Sequence, residues 1–256
     1  MTLEIQGLTK HFGGVRAVDG LDLSLAEGEL AGLIGPNGSG KTTVFNLVTG
    51  LYRPDAGSIT YDGRCLSSLP PHRINRLGIA RTFQNIRLFR NLTVLDNVRV
   101  ACHSRSAYGP LSALVRGGSF YRGEKKLQEK VEQFLSIFAM EKRIYEIAGN
   151  LPYGEQRKLE IARALASEPR VLLLDEPAAG MNPVEVERLM EFLLEIRKRF
   201  RLAILMIEHQ MRLVMGICER LVVMDFGQVI ARGRPEEIRD DRKVIEAYLG
   251  ENVPVE

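Results

Sequence analysis

The sequence predicts an α/β fold: a core of short apolar strands and helices, β-structure near the N-terminus, and an α-helical block inserted into the middle. Three observations carry this prediction. The first 30 residues alternate apolar and polar side chains at period two, short wholly apolar runs recur downstream at strand length, and between about 85 and 165 the spacing turns helical.

In chain order, Leu3 and Ile5, then Leu21, Leu23 and Leu25, alternate with polar residues, and Gly13-Gly14 supplies a turn between them. Leu30 to Ile34 is a buried-strand run, followed by a glycine-rich turn and a helical segment from Lys41 to Leu51. Further strands are expected over 57–62, 78–83, 171–174, 202–207, 221–225 and 228–232, the last two joined by a turn at Phe226-Gly227. Inside the insertion, Leu127, Val131, Phe134, Leu135 and Phe138 predict a helix over 126–139, whereas the glycine-rich 109–123 stretch reads as a loop. One more helix is marked at both ends. Asn182 suits the N-cap, Pro183 the first turn and Glu185 a capping box. Val186, Leu189, Leu193, Ile196 and Phe200 then form one apolar face. Arg197, Lys198, Arg199 and Arg201 gather where cations favour the helix dipole.

Composition narrows the functions available. The 256 residues are 45% hydrophobic and 26% charged, which suits one large α/β domain and excludes a disordered chain. Thirty-five Lys and Arg against 32 Asp and Glu leave a net charge of +3, so no nucleic acid partner is expected. Cys65, Cys102 and Cys218 are scattered without a CxxC spacing, which reads as reduced thiols rather than a zinc site. No apolar stretch resembles a secretory leader or reaches the ~18 residues of a membrane span, so the chain itself is expected to be soluble.

Two segments carry chemistry. Gly35-Pro36-Asn37-Gly38-Ser39-Gly40-Lys41-Thr42 matches GxxxxGK[ST] between a strand and a helix. Its glycines permit positive φ, so that successive backbone N–H groups turn toward one phosphate chain, and the following helix adds its positive end. Lys41 can reach the β- and γ-phosphates, and the Thr42 hydroxyl can ligate Mg²⁺. The second segment is Val171 to Leu174, then Asp175-Glu176-Pro177. Alone, an acidic pair closing a strand is more often a turn or cap. Beside a phosphate turn, Asp175 is placed to hold Mg²⁺ and Glu176 to accept a proton from the attacking water.

With these residues together, the sequence resembles the ATP-binding cassette (ABC) ATPases from about residue 3 to 250. Leu151-Pro-Tyr-Gly154-Glu155-Gln156, followed by RKLEIARAL, resembles the family's signature segment. Gln84 in RTFQNIRLF resembles its glutamine loop and His209 in MIEHQM its switch histidine. The resemblance implies a P-loop NTPase core with an antiparallel β subdomain. It divides the single domain into core residues 1–84 and 160–240, a helical subdomain over 85–159 that carries the signature, and a helical tail over 235–256. Lys41, Glu176 and His209 are then expected to be catalytic. Phe12, Val18, Gln84 and the stretch from Gly35 to Thr43 are expected to bind nucleotide, with Thr42, Gln84 and Asp175 at the metal. Tyr153, Gly154 and Glu155 would face a partner chain's ATP. For Phe12, core packing is the alternative to lying under adenine.

The phrases TVFNLVTG, RTFQNIRLFRNLTVLDNV, DEPAAGMNP and PEEIRDDRKVIEAYLGE resemble more narrowly the ATPase subunits of branched-chain amino acid importers. Relatives handling urea or lipopolysaccharide share much of this wording, and soluble cassettes acting on nucleic acid or ribosomes form the other class. The resemblance implies ATP and Mg²⁺ as cofactors and transmembrane permease chains as partners, with an extracytoplasmic solute-binding protein acting indirectly. It implies a peripheral position on the cytoplasmic face of the membrane. The permease interface would include Arg87, Leu88, Phe89 and Leu92. Two departures stand out: Pro152 replaces the usual signature serine and Asn182 the usual aspartate. Pro152, beside otherwise complete catalytic motifs, motivates the expectation of a heterodimer with a second ABC ATPase, a homodimer being the alternative.

Overall fold

A computed structural model describes residues 2–103 and 118–249. It divides into two compact units, Met1–Gln84 with Arg170–Glu256, and Asn85–Pro169. The first unit opens with β1 (Leu3–Phe12), β2 (Val15–Leu25), β3 (Leu30–Ile34), α1 (Lys41–Val48), β4 (Ala56–Tyr61), β5 (Arg64–Cys65), α2 (Pro71–Leu77) and β6 (Ile79–Arg81). The second contributes α3 (Val94–His103), α4 (Gly118–Ile137) and α5 (Tyr153–Leu165). The chain then returns through β7 (Val171–Asp175), α6 (Pro183–Phe200), β8 (Ala203–Ile207), α7 (Met211–Ile217), β9 (Arg220–Asp225), β10 (Gln228–Gly233), α8 (Pro235–Arg239) and α9 (Arg242–Leu249). The return falls at Arg170, past the end of α5, rather than at 160, because the hydrogen bonds of one helix keep it in one unit.

In the first unit, one sheet has the order β10-β9-β3-β8-β7-β6 and is parallel except for the β9–β10 hairpin. The other, β2-β1-β4-β5, is antiparallel. Every residue of β3, β7 and β8 is buried, which explains why these strands read as continuous apolar runs. Both sheets and α1 share a core in which Leu3, Ile5 and Leu25 join Phe45, Val48, Leu205 and Val222. The loops that leave the C-terminal ends of β3, β7 and β8 are the ones bearing Lys41, Glu176 and His209, as an open α/β sheet requires of a ligand crevice.

The alternation of β2 slips once. Leu21, Leu23 and Leu25 are buried at period two, but the next buried residue back is Val18, across a register shift beside Gly20 at φ 66°. Beyond it, Val15 and Arg16 are exposed and Ala17 is half-buried, with a further irregularity in the pairing between Lys10 and His11. Strand ends shift by one or two residues, and larger differences fall in the helical segments. The first helix stops at Val48 because Gly50, at φ 71°, packs between the Leu69 carbonyl and Ile74. The insertion helix ends at Ile137, with Ala139 at φ 53°. Of the expected loop over 109–123, residues 109–117 lie outside the described ones and 118–123 are the first turns of α4. A single interior glycine costs only about 1 kcal/mol, which a long helix absorbs.

The α6 cap forms as its sequence predicts. Asn182 Oδ1 accepts from the Val184 and Glu185 N–H groups, both at 3.0 Å, and Glu185 Oε2 accepts from the Asn182 N–H at 2.9 Å. Arg197 does more than favour the dipole, donating to the Gly28 carbonyl and to Glu219, each at 2.6 Å. Asn182→Ala is expected to cost about 1 kcal/mol. A melt of the purified chain would show it as a fall of roughly 2–4 °C.

All three cysteines are free. Burial pushes the Cys218 thiol up to about 12 and raises Cys102 as well, while Cys65 is exposed. Among the described residues, no helix is long and apolar enough to cross a membrane.

Candidate functional site

The phosphate turn is built on close backbone approaches. A Cβ at Gly35 would stand 1.9 Å from the Met224 carbonyl oxygen, and one at Gly40 2.1 Å from that of Ala17. Both glycines also take positive φ, 144° and 105°. The β9–β10 turn clamps the loop from behind: Gly227 N–H donates to the Ser39 carbonyl at 3.1 Å, and the Gly227 carbonyl accepts from Asp19 N–H at 2.9 Å. The Lys41 ammonium lies inside this frame. It donates to the Gly35 and Pro36 carbonyls at 2.8 and 2.6 Å and to Ser39 Oγ at 3.2 Å. Gly35, Pro36 and Ser39 are buried and hold the lysine, whereas Asn37, Gly38, Gly40, Thr42 and Thr43 line a cavity of about 530 Å³.

Lys41, Gln84, Glu176 and His209 complete the wall of the same cavity. Glu176 holds a left-handed backbone at φ 48°, uncommon for a non-glycine residue and a strain found mostly at functional positions. Its carboxylate is gripped from both sides. Oε2 accepts from Gln84 Nε2 at 2.8 Å, and Oε1 lies 2.8 Å from His209 Nε2. The structure therefore puts the histidine beside the candidate base. Asp175, one residue earlier, is buried and paired through Oδ2 with Arg81 at 2.6 Å. Its Oδ1 is buried without a hydrogen-bond partner among the described residues. A buried carboxylate oxygen left unmatched is costly unless something positive meets it.

Sequence reasoning missed several residues here. Glu208 is buried and spans both acidic loops, accepting from Ala178 N–H at 2.7 Å through Oε1 and from His209 and Gln210 N–H at 2.8 and 3.1 Å through Oε2. Its signal was a carboxylate directly after a wholly apolar strand. Val15, Arg16, Ala17 and Phe226 also line the cavity, and Phe226 is 87% exposed at φ 42°. Val18, expected to touch nucleotide, is fully buried in the core and cannot do so. Phe12 is 44% exposed, which excludes core packing; its ring meets Tyr52 edge-on at 5.3 Å and is not among the cavity's lining residues.

In the second unit, Pro152 is the N-cap of α5, and its carbonyl accepts from the Glu155 and Gln156 N–H groups at 3.0 and 2.9 Å. Tyr153 is exposed, and Glu155 pairs with Arg143 at 2.9 Å. A Cβ at Gly154 would meet nothing within 4 Å. In the loop before α3, Arg87 donates its N–H to buried Glu160 at 3.0 Å. Buried Asn97 holds Phe89 through both its backbone groups, at 2.9 and 3.1 Å. Phe89 and Leu92 are exposed, but Leu88 is buried, so its side chain does not face outward to a permease.

Comparison with known proteins bears on these assignments. The family profile described as ABC transporter matches residues 18–179, and one described as branched-chain amino acid ATP-binding cassette transporter matches residues 228–254. The chain is 46% identical over 249 residues to the high-affinity branched-chain amino acid transport ATP-binding protein LivG of Salmonella typhimurium, covering 97% of this chain and 98% of that one. It is 45% identical to BraF of Pseudomonas aeruginosa, a protein of the same description, at the same coverage. The lipopolysaccharide export system ATP-binding protein LptB of Haemophilus influenzae is 34% identical over 97% of each chain. Among solved structures, the ADP conformation of MJ1267, an ATP-binding cassette of an ABC transporter, superposes with a TM-score of 0.84 at 31% identity, covering 98% of this chain and 99% of that one.

Proposed function

The chain belongs to the ABC transporter family and is an ATP-hydrolysing enzyme, and from that premise we propose that it is the nucleotide-binding subunit of an importer of branched-chain or related amino acids. The observation that carries the chemistry is the carboxylate of Glu176, held by Gln84 and His209 at the wall of the phosphate cavity. The solute class rests on likeness to LivG and BraF and on the C-terminal match.

In this reading the turn from Gly35 to Thr43 wraps the phosphates, and Lys41 exchanges loop carbonyls for phosphate oxygens. Among the described residues, no group of three or more His, Cys, Asp or Glu side chains could hold a metal ion. A site with one carboxylate, one hydroxyl and phosphate oxygens suits Mg²⁺, which keeps several waters and rarely takes an all-protein cage. Asp175 Oδ1 and the exposed Thr42 hydroxyl are those two groups. Bound there, Mg²⁺ supplies positive charge against the β- and γ-phosphates. Glu176 takes a proton from the attacking water, and Gln84 and His209 keep its carboxylate aimed.

Partner contacts follow from exposure and from Pro152. Phe89 and Leu92, beside the exposed Arg87, offer an apolar patch to a permease helix. Gly154 has open space around its Cα, so the fold itself does not require the glycine there; close approach by a partner chain's nucleotide does. Pro152 has no hydroxyl or N–H to offer a phosphate, and a lost hydrogen bond to a charged group is worth roughly 1.5–3 kcal/mol. A second ABC ATPase with an intact signature therefore completes the stronger site in a heterodimer, peripheral on the cytoplasmic face of the membrane. An extracytoplasmic solute-binding protein delivers the amino acid.

Mild-detergent purification of the tagged chain from its native membranes, with mass spectrometry, tests this. Two permease chains and a second ATPase are the expected companions. A complex with two copies of this chain alone overturns the heterodimer, and recovery with ribosomes or DNA in place of membrane proteins overturns the transport reading.

A further inference from the structure

We propose that Arg81 is a positioning residue for the metal site: it grips one oxygen of Asp175 so that the other is presented to the cation at a fixed angle. The inference rests on the assignment of Asp175 to Mg²⁺ made above and adds a residue to it.

Arg81 ends β6, opposite Leu173 of β7, so it reaches the strand face on which Asp175 lies two residues further on. Its guanidinium makes two different bonds at once. One arm donates to Asp175 Oδ2 at 2.6 Å, and the other to Asn46 Oδ1 of α1 at 2.7 Å. Aromatic rings fix its plane, with Phe45 and Phe83 centroids 5.3 and 5.0 Å from the guanidinium carbon. The side chains of Arg81 and Asp175 are both buried. Asp175 is thus tied to the helix that begins at Lys41 and Thr42, so the carboxylate and the phosphate turn share one rigid link. The consequence is visible at the other oxygen, Oδ1, which is buried and has no hydrogen-bond partner among the described residues.

Two effects of Arg81 oppose one another. Its charge weakens the pull of Asp175 on a cation, whereas its fork fixes the direction of that pull. Arg81→Lys separates them, because it keeps the charge but replaces a rigid planar fork by a rotating ammonium on a flexible stem, which no longer fixes the angle between Asn46 and Asp175. Asn46→Ala loosens the same fork without changing any charge.

The measurement is binding of Mn²⁺ in the presence of saturating ADP, read from the electron paramagnetic resonance of free Mn²⁺, alongside binding of fluorescent ADP in EDTA. Arg81→Lys is expected to weaken Mn²⁺ about tenfold, as loss of a group that orients a metal ligand commonly does. Asn46→Ala shifts it in the same direction and by less, and ADP affinity in EDTA stays within about twofold for both. Unchanged or tighter Mn²⁺ binding in Arg81→Lys overturns the proposal, as does an equal loss of ADP binding in EDTA, which would make Arg81 a support of the phosphate turn alone. Asp175→Asn is the control: if it leaves Mn²⁺ binding intact, the metal assignment of Asp175 fails instead.

Discussion

Glu176→Gln is expected to bind ATP with little change and to hydrolyse it at least about a hundredfold more slowly, the range a positioned general base supplies. The amide occupies the same space and can still meet Gln84 and His209, which lie 2.8 Å from the two carboxylate oxygens. The loop stays held by Glu208 through Ala178 N–H at 2.7 Å. Only the capacity to take a proton is removed. Single-turnover hydrolysis beside ATP binding separates the two quantities. Near-normal turnover with normal binding would remove Glu176 from the chemistry and leave the strained backbone at φ 48° without a purpose. His209→Ala frees one side of the carboxylate without removing the base, so its effect on turnover is smaller than that of Glu176→Gln.

The second large effect belongs to Gly40→Ala. A methyl there would stand 2.1 Å from the Ala17 carbonyl oxygen, a backbone atom that cannot swing aside, and φ is 105°. Strain at such a φ costs about 1–3 kcal/mol, and forced displacement in a packed site costs about as much again. Relief must move either the phosphate turn or the segment 15–17, and both line the cavity. Nucleotide affinity is expected to fall at least about a hundredfold, or roughly 2.7 kcal/mol. Titration with a fluorescent ADP analogue checks this, with a thermal melt reporting the stability loss. Gly154→Ala is the useful contrast, since nothing within 4 Å opposes it and the isolated chain should fold and bind nucleotide normally.

Legibility followed the range of the interactions. Asn182, Pro183 and Glu185 announced the start of α6 because a capping box is contained in four consecutive residues. The strand-turn-helix around Lys41 was legible for the same reason. Val18 is expected at the nucleotide only through likeness to the family, and the register shift beside Gly20 that accompanies its burial leaves no sign in the period-two pattern of Leu21, Leu23 and Leu25. Arg81 gave no signal at all. Its partner Asp175 lies 94 positions away, and the two meet only through the pairing of β6 with β7. Leu88, Phe89 and Leu92 look alike in the sequence, and the burial of Leu88 alone is a product of tertiary packing. His209 was recognised from motif order, but its contact with Glu176 required two loops from adjacent parallel strands to be in register.

In the proposed function, hydrolysis at Glu176 drives amino acid entry. The most direct test is uptake of radiolabelled leucine by proteoliposomes containing the complete complex, with ATP inside and the solute-binding protein outside. Uptake that requires ATP and is abolished by Glu176→Gln in this chain is the predicted result. Leucine accumulation that persists with Glu176→Gln would contradict it, as would brisk ATP hydrolysis that no branched-chain amino acid stimulates.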